Sequence, residues 1–556
     1  MKRNLRQFSD KTFDVLIIGG GIYGVTAAWD AAQRGLSVAI VEKGDFGGAT
    51  SANSLKIIHG GLRYLQSLDI IRMRESIFER KVLMRIAPHL VHPLPCVMPT
   101  YGHLLKGKEA LSIAMLLNDV VSFDRNFEMD KQKHLPNGKI LSKEETLRLL
   151  PGYQHPKFTG GAMWYDAQMI NSERLTFSFL HSAVEVGAQA ANYAQAENLL
   201  RDNGRIVGAR VKDMLTDEYY DIHANLVINT CGPFVDTVLQ SLNQKKQRAP
   251  YFLPSTAINL VTRQFIPEVA AGLRGKFEFP EKDGSITKGY RVYFTAPWRG
   301  TTIVGTQHRP YFGKIEDFKV TEDYIQEFLD GINDAFPAAE LKFEDVKYVM
   351  AGFLPMSPER KPGMDVLLQK HYSIIDHSTS DDIEGLISVI GVKYTTARDV
   401  SEKTINLAFK KLGKDIVPSQ TSELPLFGGD ILDFANFLKA EKEKHSDKYD
   451  GKIIERLIHT YGSEYSELFK YMEGTHALSD DTFITSAEVL FALKNEMACH
   501  LSDLVFRRTD LGTAGYPGDE VLKVVADIAA KELGWDDSRK AAEIEMVKKA
   551  YHPLII

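Results

Sequence analysis

Residues 13–43, FDVLIIGGGIYGVTAAWDAAQRGLSVAIVEK, decide the fold. FDVLII is a continuous apolar run, which reads as a buried strand. VTAAWDAAQRG has helical spacing and ends at Gly35, and LSVAIVEK reads as a second strand. Between the first strand and the helix stands Gly19-x-Gly21-x-x-Gly24. On its own this spacing is a weak signal. Here it follows a strand, opens a helix, and is followed by Glu42 at the end of the next strand, roughly 20 residues on, as a dinucleotide site requires. Gly19 permits the tight turn, Gly21 lets the backbone approach a pyrophosphate, and Gly24 lets helix pack on strand. The helix N-terminus then faces the phosphate charge, and Glu42 can accept bonds from ribose hydroxyls. The fingerprint does not choose between FAD and NAD.

Working outward, GDFGGATSANS (44–54) is a loop whose Thr50, Ser51 and Ser54 hydroxyls suit phosphate or ribose contact, or simply turn formation. Residues 68–87 read as an amphipathic helix. Pro88, Pro93, Pro95 and Pro99 then predict a loop. ALSIAMLLNDVV (110–121) reads as a helix with a strongly apolar face. Burial in the core is the plainer expectation for that face, and an apolar surface patch for peripheral membrane contact is the alternative. RIVGARVKD and LVINTCG are strand-like, and YRVYFTAPWRGTTIVGT predicts two strands joined at Arg299 and Gly300, with Arg291 and Arg299 as surface charges. After about residue 418 charged helical segments follow one another. The expected architecture is α/β: a dinucleotide-binding Rossmann-like domain, an inserted antiparallel β-sheet substrate domain and a C-terminal α-helical domain. The limits read as 1–415, with inserts at roughly 85–155 and 240–370, and 416–556.

The chain has 556 residues, enough for two or three domains. With 44% apolar and 25% charged residues it has a globular composition. A net charge of −6 gives no reason to expect a nucleic-acid partner. The three cysteines, Cys96, Cys231 and Cys499, form no CxxC pair, so neither a disulfide framework nor a metal site is expected. Sparse cysteine fits a cytoplasmic setting. No stretch reaches the roughly 18 apolar residues of a membrane span.

The fingerprint segment, followed by ATSANSLKIIHGGLRYLQ (49–66), resembles the FAD-dependent glycerol-3-phosphate dehydrogenase and oxidase family. His59-Gly60-Gly61-Leu62-Arg63-Tyr64-Leu65 matches its HGGxRYL element throughout. NTCGPFVD (229–236), VYFTAPWRGTTIVGT (292–306), GVKYTTARDVSE (391–402) and EMACHLSDLVFRRTDLG (496–512) resemble further family segments, so the likeness spans roughly 13–515. It implies an FAD-binding Rossmann-like domain of glutathione-reductase type, with FAD as cofactor held by Gly19, Gly21, Gly24, Glu42, Lys43, Thr50, Ser51, Ser54, Lys56, His59, Gly60, Gly61, Cys231, Gly232, Gly391, Lys393, Tyr394 and Thr395. It also implies oxidation of a secondary alcohol in a polyol phosphate or similar small molecule. Hydride would pass to the flavin and electrons to quinone or oxygen, in the cytoplasm or at the inner face of the membrane.

Arg63, Tyr64, Thr306 and Lys393 match residues lining the family's active site. Lys393 could place a cation at the flavin edge. Other positions depart. Leu354 stands where an arginine is expected at the substrate, Ala257 where a histidine is expected, Lys370 where the family has arginine, and Val392 replaces a glycine. His308 is a newcomer that could act as a base, or be an exposed loop residue. An arginine that clamps phosphate is not replaced by leucine. Arg360, Lys361 or Lys370 could restore the charge. Two further expectations therefore stand beside glycerol 3-phosphate: another polyol phosphate, hydroxy acid or amine, or a decayed flavin-binding scaffold.

Overall fold

The computed structural model describes residues 1–62, 64, 68–102, 108–242, 249–280, 286–359, 366–474, 477, 478 and 482–554. In chain order the strands are β1 (Thr12–Ile18), β2 (Val38–Val41), β3 (Ile57–Ile58), β4 (Val91–Tyr101), β5 (Lys139–Leu141), β6 (Phe158–Met169), β7 (Gln189–Ala191), β8 (Ala194–Asp202), β9 (Arg205–Asp213), β10 (Tyr219–Asn229), β11 (Pro254–Arg263), β12 (Ala270–Pro280), β13 (Ile286–Trp298), β14 (Thr301–Pro310), β15 (Val346–Pro355), β16 (Ser373–Asp376) and β17 (Leu386–Ile390). Helices α1 (Ile22–Gln33), α2 (Ile70–Ile86) and α3 (Lys108–Val121) bear on the site.

The first sheet has the order β16-β17-β10-β1-β2-β7, with the β8–β9 hairpin attached to β10. Its middle, from β17 to β7, is parallel. Both of its faces are covered, which is why FDVLII is apolar throughout rather than alternating. Val15 and Ile17 join the core formed with α1 and the helix at Ser172–Glu185. Leu16 and Ile18 pack on the opposite face with Phe8, Val211 and Ile222.

The second sheet has the order β15-β11-β14-β13-β12-β4-β6-β3, with β5 beside β6. It is antiparallel except where β12 meets β4 at Ala270–Cys96 and Ala271–Val97. Side chains alternate across it: Ile258, Leu260 and Leu273 pack under the helix at Glu322–Ala335, while Ala257, Asn259 and Gly272 face a cavity.

Three local expectations are corrected. The proline-rich segment is strand β4, not a loop. Pro93, Pro95 and Pro99 share one parity, so their missing N–H groups fall on one edge of the strand, while the other edge forms the full ladder with β6. The second correction is that α2 is not amphipathic, since it buries Arg72, Glu79 and Arg80 while Ile71 is 77% exposed. Those charges are tolerated because each is partnered, Arg72 by Asp69, Glu79 by Arg398 and Arg80 by Asp166. Finally, α3 does not bury its apolar face: Ile113, Leu116 and Val120 are each more than 60% exposed. No helix among the described residues is long and apolar enough to cross a membrane.

The C-terminal helices have their own cores, around Ile454, Leu457 and Tyr461, and around Leu504, Leu522 and Val547. They latch onto the nucleotide half through buried charge. Asp45, just past β2, accepts from Arg508 at 2.7 and 2.9 Å and from Arg507 at 2.5 Å. Arg174 pairs with Glu496 at 2.8 Å. Arg299 is not a surface charge: it sits in the β13–β14 turn, 3.3 Å from Asp510.

Candidate active site

One cavity of about 1720 Å³ runs between the two sheets. That exceeds the roughly 300–1,000 Å³ of an ordinary ligand pocket, leaving room for a dinucleotide and a substrate together. At one end stand Gly19, Gly21, Glu42, Lys43, Cys231 and Gly232. Gly19 has φ +103°, and a Cβ there would lie 2.9 Å from the Thr230 carbonyl. At Gly21 an added Cβ would meet only Ser51 Oγ, at 3.3 Å, so the turn is open towards the cavity. Gly21 caps α1 without a side-chain bond of its own, Ile22 N donates to Ser51 Oγ at 2.9 Å, and the helix N-terminus borders the cavity through Gly21, Ile22 and Tyr23. Glu42 accepts from Gly20 N at 2.6 Å and Gly44 N at 2.9 Å, and burial raises its carboxyl above the usual range. These groups could cradle the phosphates and ribose of a dinucleotide.

Thr50, Ser51, Ser54, His59, Gly61, Gly391, Lys393, Tyr394 and Thr395 line the middle of the cavity. Tyr23 O–H donates to the Lys393 carbonyl at 2.6 Å and so pins that loop; burial pushes its phenol up to about 12. Gly24, Gly60 and Lys56 are not on the wall. A Cβ at Gly24 would lie 1.9 Å from Gly19 O, and one at Gly60 2.2 Å from Arg80 Nη1, so both glycines serve close packing. Lys56 is fully buried, donating to Glu173 at 2.6 Å and to the Ala52 carbonyl at 2.8 Å. It staples the loop in place rather than touching a ligand.

At the other end Tyr64, Thr306 and His308 line the wall, as do the changed positions Ala257, Leu354, Lys370 and Val392. Arg63, Arg360 and Lys361 lie outside the described residues. Ala257 pairs across the strands with His308, so the small residue opens space beside the imidazole. Thr306 Oγ1 donates to Asn259 Oδ1 at 2.8 Å.

Sequence reasoning missed Asp166. It is buried beneath His59, whose Nδ1 lies 3.1 Å from Oδ2, and Trp164 Nε1 donates to the same oxygen at 3.3 Å. The other oxygen accepts from Gly60 N at 2.6 Å and Arg80 Nη1 at 2.8 Å. Burial alone would raise this carboxyl. The His59 bond and charge, the Arg80 charge and the Gly60 N–H outweigh burial and hold it well below the usual range. The one signal in the sequence was a lone carboxylate in the apolar strand AMWYDAQM. In the neutral ring the carboxylate fixes Nδ1 as donor and leaves Nε2 as acceptor. His59 Nε2 has no partner among the described residues, and the side chain is 45% exposed to the cavity.

Comparison with known proteins matches residues 14–382 to the family of FAD dependent oxidoreductases and residues 419–540 to the C-terminal domain of alpha-glycerophosphate oxidase. A Synechocystis glycerol-3-phosphate dehydrogenase is 30% identical over 558 residues, covering 98% of this chain and 97% of that protein. The chain belongs to the FAD-dependent glycerol-3-phosphate dehydrogenase and oxidase family. Another relative of this family, the human mitochondrial glycerol-3-phosphate dehydrogenase, is 32% identical over 561 residues, covering 97% of this chain and 73% of that protein. A Bacillus halodurans glycerol-3-phosphate dehydrogenase solved with FAD shares the fold at TM-score 0.75 and 24% identity, over 98% of this chain and 96% of that one. The protein is therefore an FAD-dependent oxidoreductase, and the cradle around Gly19, Gly21 and Glu42 fits that cofactor.

Proposed function

We propose that the protein is a dehydrogenase oxidising glycerol 3-phosphate, or a close polyol phosphate, and passing the electrons to quinone or oxygen. The observation that carries this is His59, oriented by buried Asp166, on the wall of the cavity that also holds the dinucleotide cradle. The names of the full-length relatives support the substrate. Bound FAD would supply the hydride acceptor. His59 Nε2 would take the hydroxyl proton of the alcohol, and its developing charge would be stabilised by Asp166. Lys393 would place its cation beside the cofactor, and Tyr64 and Thr306 would orient the substrate hydroxyls. We assign the base to His59 rather than His308, because His59 has a buried carboxylate to fix its tautomer. The retained Tyr64, His59 and Lys393 speak against a decayed scaffold. We assign residues 1–415 to the two sheet domains and 416–556 to the helical domain; β6 supports running the first insert on to about 169.

We further propose peripheral membrane contact through α2 and α3. Arg74 bonds Asp124 at 2.6 and 2.8 Å and so ties the two elements together. Their exposed Ile71, Leu116, Val120 and Phe123 would enter the lipid interface. Co-flotation with anionic liposomes tests this; failure to co-migrate at low salt would sink it. The catalytic proposal is tested by adding glycerol 3-phosphate anaerobically to the yellow protein and watching the flavin band bleach.

A further inference from the structure

The wall that lost an arginine at position 354 has a different one. Arg72 lies in the first turn of α2, is only 9% exposed, and is one of the residues lining the cavity. Its carbon sits 4.7 Å from the centre of the Tyr64 ring, and Lys393 Nζ sits 4.3 Å from the same ring. Tyr64 is thus flanked by two cations, both on the cavity wall. Nε of Arg72 donates to Asp69 at 2.5 Å and Nη1 donates to the Lys370 carbonyl at 3.2 Å. Among the described residues, Nη2 has no acceptor and Lys393 has no carboxylate partner. Lys370 also lines the cavity.

The site connects directly to position 354. Gln369 N donates to the Pro355 carbonyl at 2.8 Å, and the carbonyl of the next residue along, Lys370, accepts from Arg72. Arg72 therefore reaches the end of β15 from the neighbouring segment. A guanidinium held by two of its nitrogens, with the third unpaired among the described residues, is preorganised for a tetrahedral dianion. We propose that Arg72 holds the phosphate of a phosphate-monoester substrate in place of the arginine absent at Leu354. This rests on the catalytic function proposed above.

The test titrates anaerobic flavin bleaching with glycerol 3-phosphate in wild type, Arg72→Leu and Arg72→Lys, and titrates inorganic phosphate by its perturbation of the flavin spectrum. Losing a charged hydrogen bond should raise the half-saturating concentration roughly 10- to 100-fold in Arg72→Leu, with a smaller rise in Arg72→Lys. The limiting rate should change less than the half-saturation, and phosphate affinity should fall by the same factor. A strut that only supports Tyr64 would instead lower the limiting rate and leave phosphate affinity alone, which overturns the proposal. So does half-saturation within about twofold of wild type in either variant that retains FAD. If glycerol 3-phosphate fails to bleach wild type, the catalytic proposal falls. The phosphate titration still decides this one: weaker binding in Arg72→Leu sustains it and equal binding overturns it. If Arg72→Leu does not hold FAD, Arg72→Lys decides the matter by the same readings.

Discussion

Replacing Asp166 by asparagine should separate the chemistry of His59 from its position. The carboxylate accepts four bonds, two at each oxygen, from Gly60 N and Arg80 on one side and His59 and Trp164 on the other. An amide keeps one accepting oxygen. The shorter bonds, 2.6 and 2.8 Å, hold that oxygen against Gly60 and Arg80, so the amide nitrogen turns to His59. There it donates to Nδ1, the ring takes the Nε2–H tautomer, and the accepting lone pair towards the substrate is lost. A positioned base contributes about 10²- to 10⁴-fold, so the anaerobic reduction rate at saturating glycerol 3-phosphate should fall by that range. Half-saturation should move little. Arg80 loses its charged partner, and breaking a buried pair costs about 3–5 kcal/mol, so the thermal midpoint should drop as well. Stopped-flow bleaching with calorimetry on the same sample reads both. A variant that holds FAD and reduces within about threefold of wild type would refute the assignment of His59 as base.

Further outcomes follow from other parts of the fold. Gly21→Val should yield protein with little bound flavin, read as the ratio of visible to ultraviolet absorbance, since the added side chain enters the cavity beside Ser51; stoichiometric FAD would contradict the cradle. Asp45→Ala removes the carboxylate shared by two buried guanidiniums, leaving Arg507 with Asp503 and Arg508 with the Glu496 carbonyl, and should cost about 3 kcal/mol in urea unfolding, whereas a loss under about 1 kcal/mol would mean the latch is not needed. Burial lowers the imidazoles of His89, His92 and His459, which cluster where β4 meets the helical domain. The unfolded chain therefore binds more protons as pH falls through 6.5, and stability should drop by up to about 1.4 kcal/mol per pH unit for each group. Equal unfolding free energies at pH 7.5 and 5.5 would count against that packing. Leu116→Glu with Val120→Glu should abolish liposome co-flotation while dithionite still bleaches the flavin.

The nucleotide half was legible because its signals are local: the glycine turn, the flanking apolar runs and Glu42 all fall within 13–43. The strand pair at 286–310 was legible for the same reason, a turn between two alternating runs. What the sequence hid is set by tertiary partners. Pro93, Pro95 and Pro99 look like breakers until one edge of β4 is seen to need few donors. Arg72 and Glu79 look like the solvent face of a helix, yet Arg72 also donates to the Lys370 carbonyl and Glu79 pairs with Arg398, each some 300 residues away. Asp166 and His59 are 107 residues apart and share no spacing rule. The apolar face of α3 was visible as a pattern, but periodicity cannot tell a face turned to the core from one turned to solvent.

The central claim is that this cavity, with its altered wall, oxidises a polyol phosphate through bound FAD. The direct measurement is the visible spectrum of the purified protein during anaerobic titration with glycerol 3-phosphate. The account predicts a yellow protein whose flavin band bleaches at modest substrate concentration, faster than the Asp166→Asn variant. A yellow protein that stays oxidised with glycerol 3-phosphate, yet bleaches with dithionite, would contradict it.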